Sequence, residues 1–377
     1  MKIALIGPFP PHRGGISQFN HSLAKALRAM GHEVLPLGFS RLYPTFLFPG
    51  TSEFDPKAVP EPDHRPLLTA WNPFSWIRAR ILLRQFGAER LIFSHWHPFF
   101  APAMSSVAKY PAPVSIIVHN ALPHEKEWVG RLLNPMLFRR ADFLAAGAET
   151  QAHILSSLAP GVRCEIVGHP AYSQYDEKVG SLSREEARQK LGLEPGKPIL
   201  MHLGLVRTYK GLDILLRAMS ELKNGDITLH VAGEFYDDYS EYERLVEELD
   251  LKSRVTFDNR YLSDEELGLH LAAADALALP YRSATQSGVA MMALASGTPV
   301  IASRVGSLGE VVRGEYGLLV PPEDATALAG AIDTFFGTSD YNSAARRKRI
   351  RKSAAMDFPG WEQYAETLIN GSSTKTG

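Results

Sequence analysis

Short apolar runs of β-type composition alternate with amphipathic helical stretches twice over in this 377-residue chain, once before a charged, proline-marked segment at Tyr172–Pro198 and once after it. Strands that alternate with helices rather than with tight turns run parallel, and a parallel sheet needs helices on both faces. The pattern therefore predicts an α/β protein of two Rossmann-like halves, each a mostly parallel sheet. In the first half strands are expected at Lys2–Ile6, His32–Leu37, Arg90–Ser94, Val114–Val118, Phe143–Ala146 and Arg163–Val167. In the second they are expected at Ile199–Leu203, Ile227–Ala232, Val255–Phe257, Ala276–Pro280, Val300–Ala302 and Gly317–Val320. Length agrees, since 377 residues exceed one ordinary core. The expected domains are 1–171 and 172–356, with the amphipathic stretch Trp361–Ile369 bringing 357–377 back onto the first. Ligands of such sheets bind at the loops beyond the carboxyl ends of the strands.

Two stretches break the rhythm. Tyr43–Trp76 is rich in proline and aromatic residues (Phe46, Phe48, Trp71, Phe74, Trp76) and reads as a long irregular insertion, a kind of segment that is often functional. Arg346–Arg349, with Arg351 and Lys352, reads either as a solvated helix face near a helix C-terminus or as a contact with an anionic membrane surface. The net charge of −1 and the lack of any RNP or zinc-finger spacing argue against nucleic acid as a partner. One cysteine, Cys164, rules out an intrachain disulfide and fits a reducing compartment. The apolar run after Met1 stops at Pro8 and reads as a strand rather than a signal peptide, and no run approaches the roughly 20 apolar residues of a membrane span. A cytoplasmic protein, soluble or peripheral at the inner face of the membrane, is expected.

Four loops carry chemistry. Gly204-Leu-Val-Arg-Thr-Tyr-Lys-Gly211 links a strand to a helix. Backbone N–H groups, a helix dipole, Arg207 and Lys210 converge there on what reads as a diphosphate site, although neither the Walker A nor the G-x-G-x-x-G spacing is present. Pro8–Gly15 leads from the first strand to a helix, so Gly14 and Gly15 either let backbone approach a ligand or merely permit a tight turn. His119 follows the strand Val114–Val118, where an imidazole can bond a sugar hydroxyl or do acid–base work; His95, His97 and His124 are further candidates. No metal-ligand spacing accompanies these histidines and Glu125, so no metal is expected. Ser283-Ala-Thr-Gln-Ser-Gly288 offers Thr285, Gln286, Ser287 and backbone amides to a polyol, or else supplies a plain N-cap. Glu310 reads as a ligand carboxylate or a cap.

Together these pieces resemble a family 4 glycosyltransferase of GT-B architecture: Gly14-Gly15 with Gly31-His-Glu-Val34, His119, Lys210-Gly211, Ala232-Gly233-Glu234, Arg254-Val-Thr-Phe257, Gly297-Thr-Pro-Val300, Glu310-Val-Val312 and Gly317-Leu-Leu-Val320. The resemblance implies two Rossmann-like domains facing a cleft and transfer from a nucleotide sugar with retention and without a metal or cofactor. It implies that Lys210 binds the diphosphate with Gly14 and Gly15 against it, and that His119 contacts the transferred sugar. Arg207 joins these two as a catalytic candidate. Gly204, Gly233, Glu234, Thr285, Gln286, Ser287, Gly288 and Glu310 complete the donor-side set. The acceptor, a sugar or lipid-linked sugar, is expected near Arg13, His95, His97 and His124, in cell-surface polysaccharide or glycolipid synthesis. Two departures stand out. The family's Glu-x7-Glu carboxylates are replaced by Ala284 and Met292, and Leu205 stands where an arginine is usual, with Arg207 two positions on. A non-catalytic nucleotide-sugar or sugar-binding protein of the same fold is the alternative; an epimerase lacks the carboxylates it would need, and a periplasmic binding protein its signal peptide.

Overall fold

The computed structural model describes residues 1–42, 52–122, 127–170 and 182–371. The chain divides into two units, Met1–Gly168 with Gly360–Gly377, and His169–Pro359.

In the first unit β1 (Lys2–Ile6), α1 (Gly15–Ala29), β2 (Glu33–Phe39), β3 (Arg65–Leu68), α2 (Pro73–Phe86), β4 (Arg90–His95), α3 (Ala101–Val107), β5 (Val114–Val118), α4 (Glu127–Phe138), β6 (Phe143–Ala146), α5 (Glu149–Leu158) and β7 (Arg163–Ile166) follow one another. All seven strands are parallel, in the order β3-β2-β1-β4-β5-β6-β7. Alternate residues of the strands face opposite ways. Ile6, Leu37, Phe93 and Ile116 share one core with Ala79, Leu83, Met104 and Leu137, which places α2, α3 and α4 on one face of the sheet. On the other face Phe19 of α1 meets Trp361 and Tyr364 of the helix Trp361–Gly371 edge-on at 5.0 and 5.5 Å. Ser115 Oγ donates to Leu368 O at 2.6 Å. The strand order reverses at β1, so the loops after β1 and β4 flank the position where ligands of open α/β sheets bind.

The Tyr43–Trp76 segment is more regular than its composition promises. Residues 43–51, with Phe46 and Phe48, lie outside the described residues, but the remainder holds β3 and the start of α2. Pro66 disguises β3, which tolerates it as an edge strand. Asn72 caps α2 by accepting from Phe74 N at 3.0 Å, with Pro73 at the first helical position. Trp76 is half-buried, its Nε1 donating to Thr69 O at 2.7 Å.

The second unit runs α6 (Arg184–Leu191), β8 (Ile199–Leu203), α7 (Leu212–Ser220), β9 (Thr228–Ala232), α8 (Tyr239–Glu248), β10 (Val255–Asp258), α9 (Asp264–Ala273), β11 (Ala276–Leu279), α10 (Gly288–Ser296), β12 (Val300–Ser303), α11 (Leu308–Val311), β13 (Gly317–Val320), α12 (Ala325–Phe336) and α13 (Ala344–Asp357). Its six strands are parallel in the order β10-β9-β8-β11-β12-β13, so β8 and β11 flank the switch point. Buried Asp275 aligns these two strands at their amino ends, accepting from Ile199 N and Arg188 Nη2, both at 2.8 Å, and from Arg184 Nη1 at 2.5 Å. A buried carboxylate is tolerated only when paired in this way.

The basic run spans Arg346 to Lys352 in the middle of α13 and leaves its last turn without a basic residue, whereas a helix face near a helix C-terminus was one expectation. Arg347 turns inward to the carbonyls of Leu271 and Ala274, while Arg346 and Arg349 meet Asp340 at 3.3 and 3.0 Å. These three arginines bond within the unit. No helix among the described residues is long and apolar enough to cross a membrane.

Candidate functional site

The loop after β8 is short, tight and cationic. Gly204 N donates to Ala232 O at 3.0 Å, which brings the ends of β8 and β9 together. A Cβ on Gly233, whose φ is +150°, would overlap the Gly204 carbonyl, so only glycine permits this approach. The chain then makes a 3-10 turn at Thr208–Lys210 before α7 begins at Leu212. Lys210 folds back over the loop, with Nζ 3.1 Å from where a Gly204 Cβ would stand and 5.6 Å from the centre of the Tyr281 ring. Burial, and secondarily the charge of Arg207, push the Lys210 ammonium down to about 8. Arg207 stacks over Tyr236, its guanidinium 4.7 Å from the ring centre.

Arg282, which sequence reasoning missed, couples this loop to the one after β11. Its guanidinium donates to both Asp213 carboxylate oxygens at 2.9 and 2.7 Å, to Thr208 O at 2.6 Å and to Glu323 at 3.2 Å. Its backbone N donates to Tyr209 O at 2.7 Å. The coupling draws the start of α10 to the loop after β8, with Val289 Cγ2 3.5 Å from that same Gly204 Cβ position. The N–H groups of the first turn of α10 have no intrahelical acceptor, and their dipole end is positive. Lys210, Arg207 and this helix start thus lie together near the switch point, an arrangement of positive groups suited to an anion. Arg282 and Asp213 carried no sequence signal beyond being charged residues flanking glycine-marked loops.

The other donor-side candidates fall into place unevenly. Ser287 is buried and caps α10 by accepting from Ala290 N at 3.3 Å, the capping option, which uses one lone pair of its hydroxyl. Thr285, Gln286 and Gly288 are half-buried in the same loop. Glu234 is buried, its carbonyl accepting from Val206 N at 2.9 Å. Glu310 is exposed in the one-turn helix α11. At the two departures from the family pattern, Ala284 packs its carbonyl against Gly306 and Met292 is buried in α10.

In the first unit Gly14 precedes α1 at φ +109°, a conformation that favours glycine, and among the described residues no atom beyond the adjoining backbone lies within 4 Å of a Cβ built on Gly14 or Gly15. Space is therefore open in front of a 15-residue helix. Asn20 Nδ2 holds the loop by donating to Pro8 O at 2.8 Å, and Arg13 N donates to Glu53 O at 2.9 Å. His119 extends β5, its N donating to His95 O at 2.9 Å. Its Nε2 is 2.7 Å from the hydroxyl of buried Ser94, its ring meets Phe19 edge-on at 4.8 Å, and Gln151 Nε2 donates to its carbonyl at 3.1 Å. Ser94 and Gln151 went unnoticed because buried serine and glutamine have no distinctive spacing.

His95 does not belong with the acceptor candidates. It is fully buried, edge-on to Phe138 at 5.0 Å, and desolvation pushes it down to about 3, so it is a neutral core residue. His97 is half-buried and caps the turn Pro98–Phe100, Nδ1 accepting from Phe99 N at 3.2 Å. His124 lies outside the described residues.

Both units match transferase families. Residues 13–167 match the family described as Glycosyltransferase Family 4, and residues 197–337 the one described as Glycosyl transferases group 1. The chain belongs to glycosyltransferase family 4. Similar proteins include D-inositol 3-phosphate glycosyltransferases of Nocardia farcinica, 36% identical over 195 residues (49% of this chain, 42% of that protein), and of Mycobacterium marinum, 31% over 234 residues (61% and 49%). The match thus spans about half the length of these relatives. Among solved structures, sucrose-phosphate synthase from Thermosynechococcus elongatus superposes with a TM-score of 0.77 at 22% identity, covering 98% of this chain and 97% of that one. Anabaena HepE in complex with UDP superposes at 0.76 and 17%, covering 99% and 100%. At these identities the likeness is one of fold, and the fold of this family 4 chain is GT-B.

Proposed function

We propose that this family 4 chain transfers a sugar from a nucleotide-sugar donor to an acceptor hydroxyl with retention, without a metal or cofactor, in cell-surface polysaccharide or glycolipid synthesis. The observation that carries the reading is the buried ammonium of Lys210 beside Arg207 and the start of α10, a site built for the charge of a diphosphate. In the reaction the bond from anomeric carbon to diphosphate oxygen breaks and the acceptor oxygen bonds that carbon on the same face. The acceptor's proton passes to the leaving phosphate. Lys210, Arg207 and the helix start stabilise charge that grows as the bond breaks, and such fixed electrostatics usually dominates catalysis of this kind. His119, held by Ser94 and Gln151, orients the sugar.

Purified protein screened by thermal shift and calorimetry against nucleoside diphosphates and nucleotide sugars tests the reading. Uridine compounds head the panel because the HepE neighbours hold UDP and UDP-glucose. Acceptors run from D-inositol 3-phosphate, named in the relatives, to lipid-linked sugars. The expected result is tight binding of one nucleotide sugar with turnover, and for His119→Ala unchanged diphosphate affinity with kcat lowered at least about tenfold. Binding without transfer to any acceptor would favour the non-catalytic alternative, to which the loss of both motif carboxylates at Ala284 and Met292 lends weight.

A further inference from the structure

Helix α2 is apolar on two opposite faces. Ser75, Ala79 and Leu83 are buried against the sheet, as a surface helix requires. On the far side Phe74, Ile77 and Ile81, at spacing i, i+3, i+7, point to solvent, Phe74 with 75% of its surface exposed. Trp71 adds a further exposed ring just before the helix. Every charged residue of α2 is an arginine, and at 100° per residue Arg78 and Arg84 fall on either side of the apolar stripe. Helix α4 carries a second outer stripe of Trp128, 66% exposed, Leu132 and Met136, beside which exposed Arg131 pairs with Glu127 at 3.6 Å. Both helices pack against α3 on the same face of the first sheet, so the two stripes share one side of the unit.

Contiguous exposed aromatic and aliphatic side chains on a soluble face mark a contact surface. Here the stripes cap convex helices rather than line a groove, and a fluid surface conforms to such a shape without needing a complementary one. The charge settles the occupant. Arginines flanking an apolar stripe lay their stems along it and carry their heads to phosphate level, the pattern of helices that lie in the interface of an anionic leaflet. We propose that the outer faces of α2 and α4 seat this protein on an anionic lipid bilayer. The basic run of α13, which the sequence offered either as a solvated helix face or as a membrane contact, has Arg346, Arg347 and Arg349 bonded within its own unit; the docking surface is on the other one.

Vesicle flotation of the full chain tests this with neither donor nor acceptor present, so the transferase reading stands or falls separately. Wild-type protein is expected to float with vesicles of phosphatidylcholine and phosphatidylglycerol and not with phosphatidylcholine alone. Phe74→Ser/Ile77→Ser and Arg78→Gln/Arg84→Gln should each lower partitioning at least about tenfold, since one arginine near an anionic surface contributes roughly a factor of five. These side chains are exposed, so melting temperatures should not move; Trp128→Ser provides an independent check on the second stripe. Wild type that stays in solution with anionic vesicles at physiological salt, or variants that float as wild type does, overturns the proposal. So does a wild-type dimer that becomes a monomer in Phe74→Ser/Ile77→Ser, which would make the face a contact between two copies.

Discussion

Lys210→Met is expected to raise the melting temperature of the ligand-free protein while weakening its response to nucleoside diphosphates by on the order of a hundredfold. The folded state holds Lys210 at about 8 against an ordinary 10.5, mainly because the ammonium is desolvated and secondarily because Arg207 is near. A group whose folded pKa is depressed in this direction binds fewer protons folded than unfolded between those two values. Stability therefore rises with pH across that window, and below about 8 the whole cost of keeping the charge buried is present. That cost is on the order of 3 kcal/mol, and methionine, of similar volume and uncharged, relieves it. A gain of several degrees follows for a unit of this size. On the proposed reading the same charge bonds a diphosphate, and a charge-assisted bond of this kind contributes roughly 2–3 kcal/mol. Wild-type affinity for diphosphate should fall as pH rises through about 8, and that slope should vanish in the variant. Differential scanning fluorimetry and calorimetry across this pH range measure both. A variant that melts lower, or that still responds to diphosphate as wild type does, removes Lys210 from the site.

Arg282→Ala is expected to cost about 2 kcal/mol of stability and to lower diphosphate affinity at least about tenfold. The guanidinium is only partly exposed, and truncation leaves the Asp213 carboxylate and the Thr208 carbonyl without their shared donor. Arg282→Lys should rescue little, because an ammonium cannot reproduce the bidentate fork. Arg282 acts through the loop it holds, so its signature differs from that of Lys210. Affinity drops but its pH slope through about 8 persists, and Asp213→Asn combined with Arg282→Ala adds less than the two separate losses. Wild-type affinity in Arg282→Ala would show that the phosphate loop holds its shape unaided.

The sheets were readable because parallel strands buried on both faces are continuous apolar runs, and Lys2–Ile6, Val114–Val118, Ile199–Leu203 and Gly317–Val320 match the observed strands residue for residue. β3 was missed because Pro66 reads as a breaker, and only an edge position makes it acceptable. Loop glycines marked where the site lies, since Gly14 and Gly233 hold backbone conformations that other residues rarely adopt. What local pattern cannot show is where a side chain goes. His95 and His119 each close or follow a strand, yet the first turns into the core beside Phe138 and the second meets the Ser94 hydroxyl. Arg282 and Asp213 are 69 residues apart, and their pairing is a product of the sheet order, which places β11 beside β8. Trp71 and Phe74 stood out in the sequence, but the helical spacing of Phe74, Ile77 and Ile81 did not, because apolar residues on both faces of α2 blur the periodicity that identifies an amphipathic helix.

The helix Trp361–Gly371, which covers Phe19 and bonds Ser115, has a consequence for the order in which the protein is made. A ribosome delivers all seven strands of the first sheet before residue 169, but the helix that shields one of its faces emerges only after the whole of His169–Pro359. The second unit can complete its own core during that interval, while the aromatic ring of Phe19 waits for its partners. For a nascent chain that is the period of greatest exposure to wrong associations, and it is the first unit, although synthesised earlier, that finishes folding later.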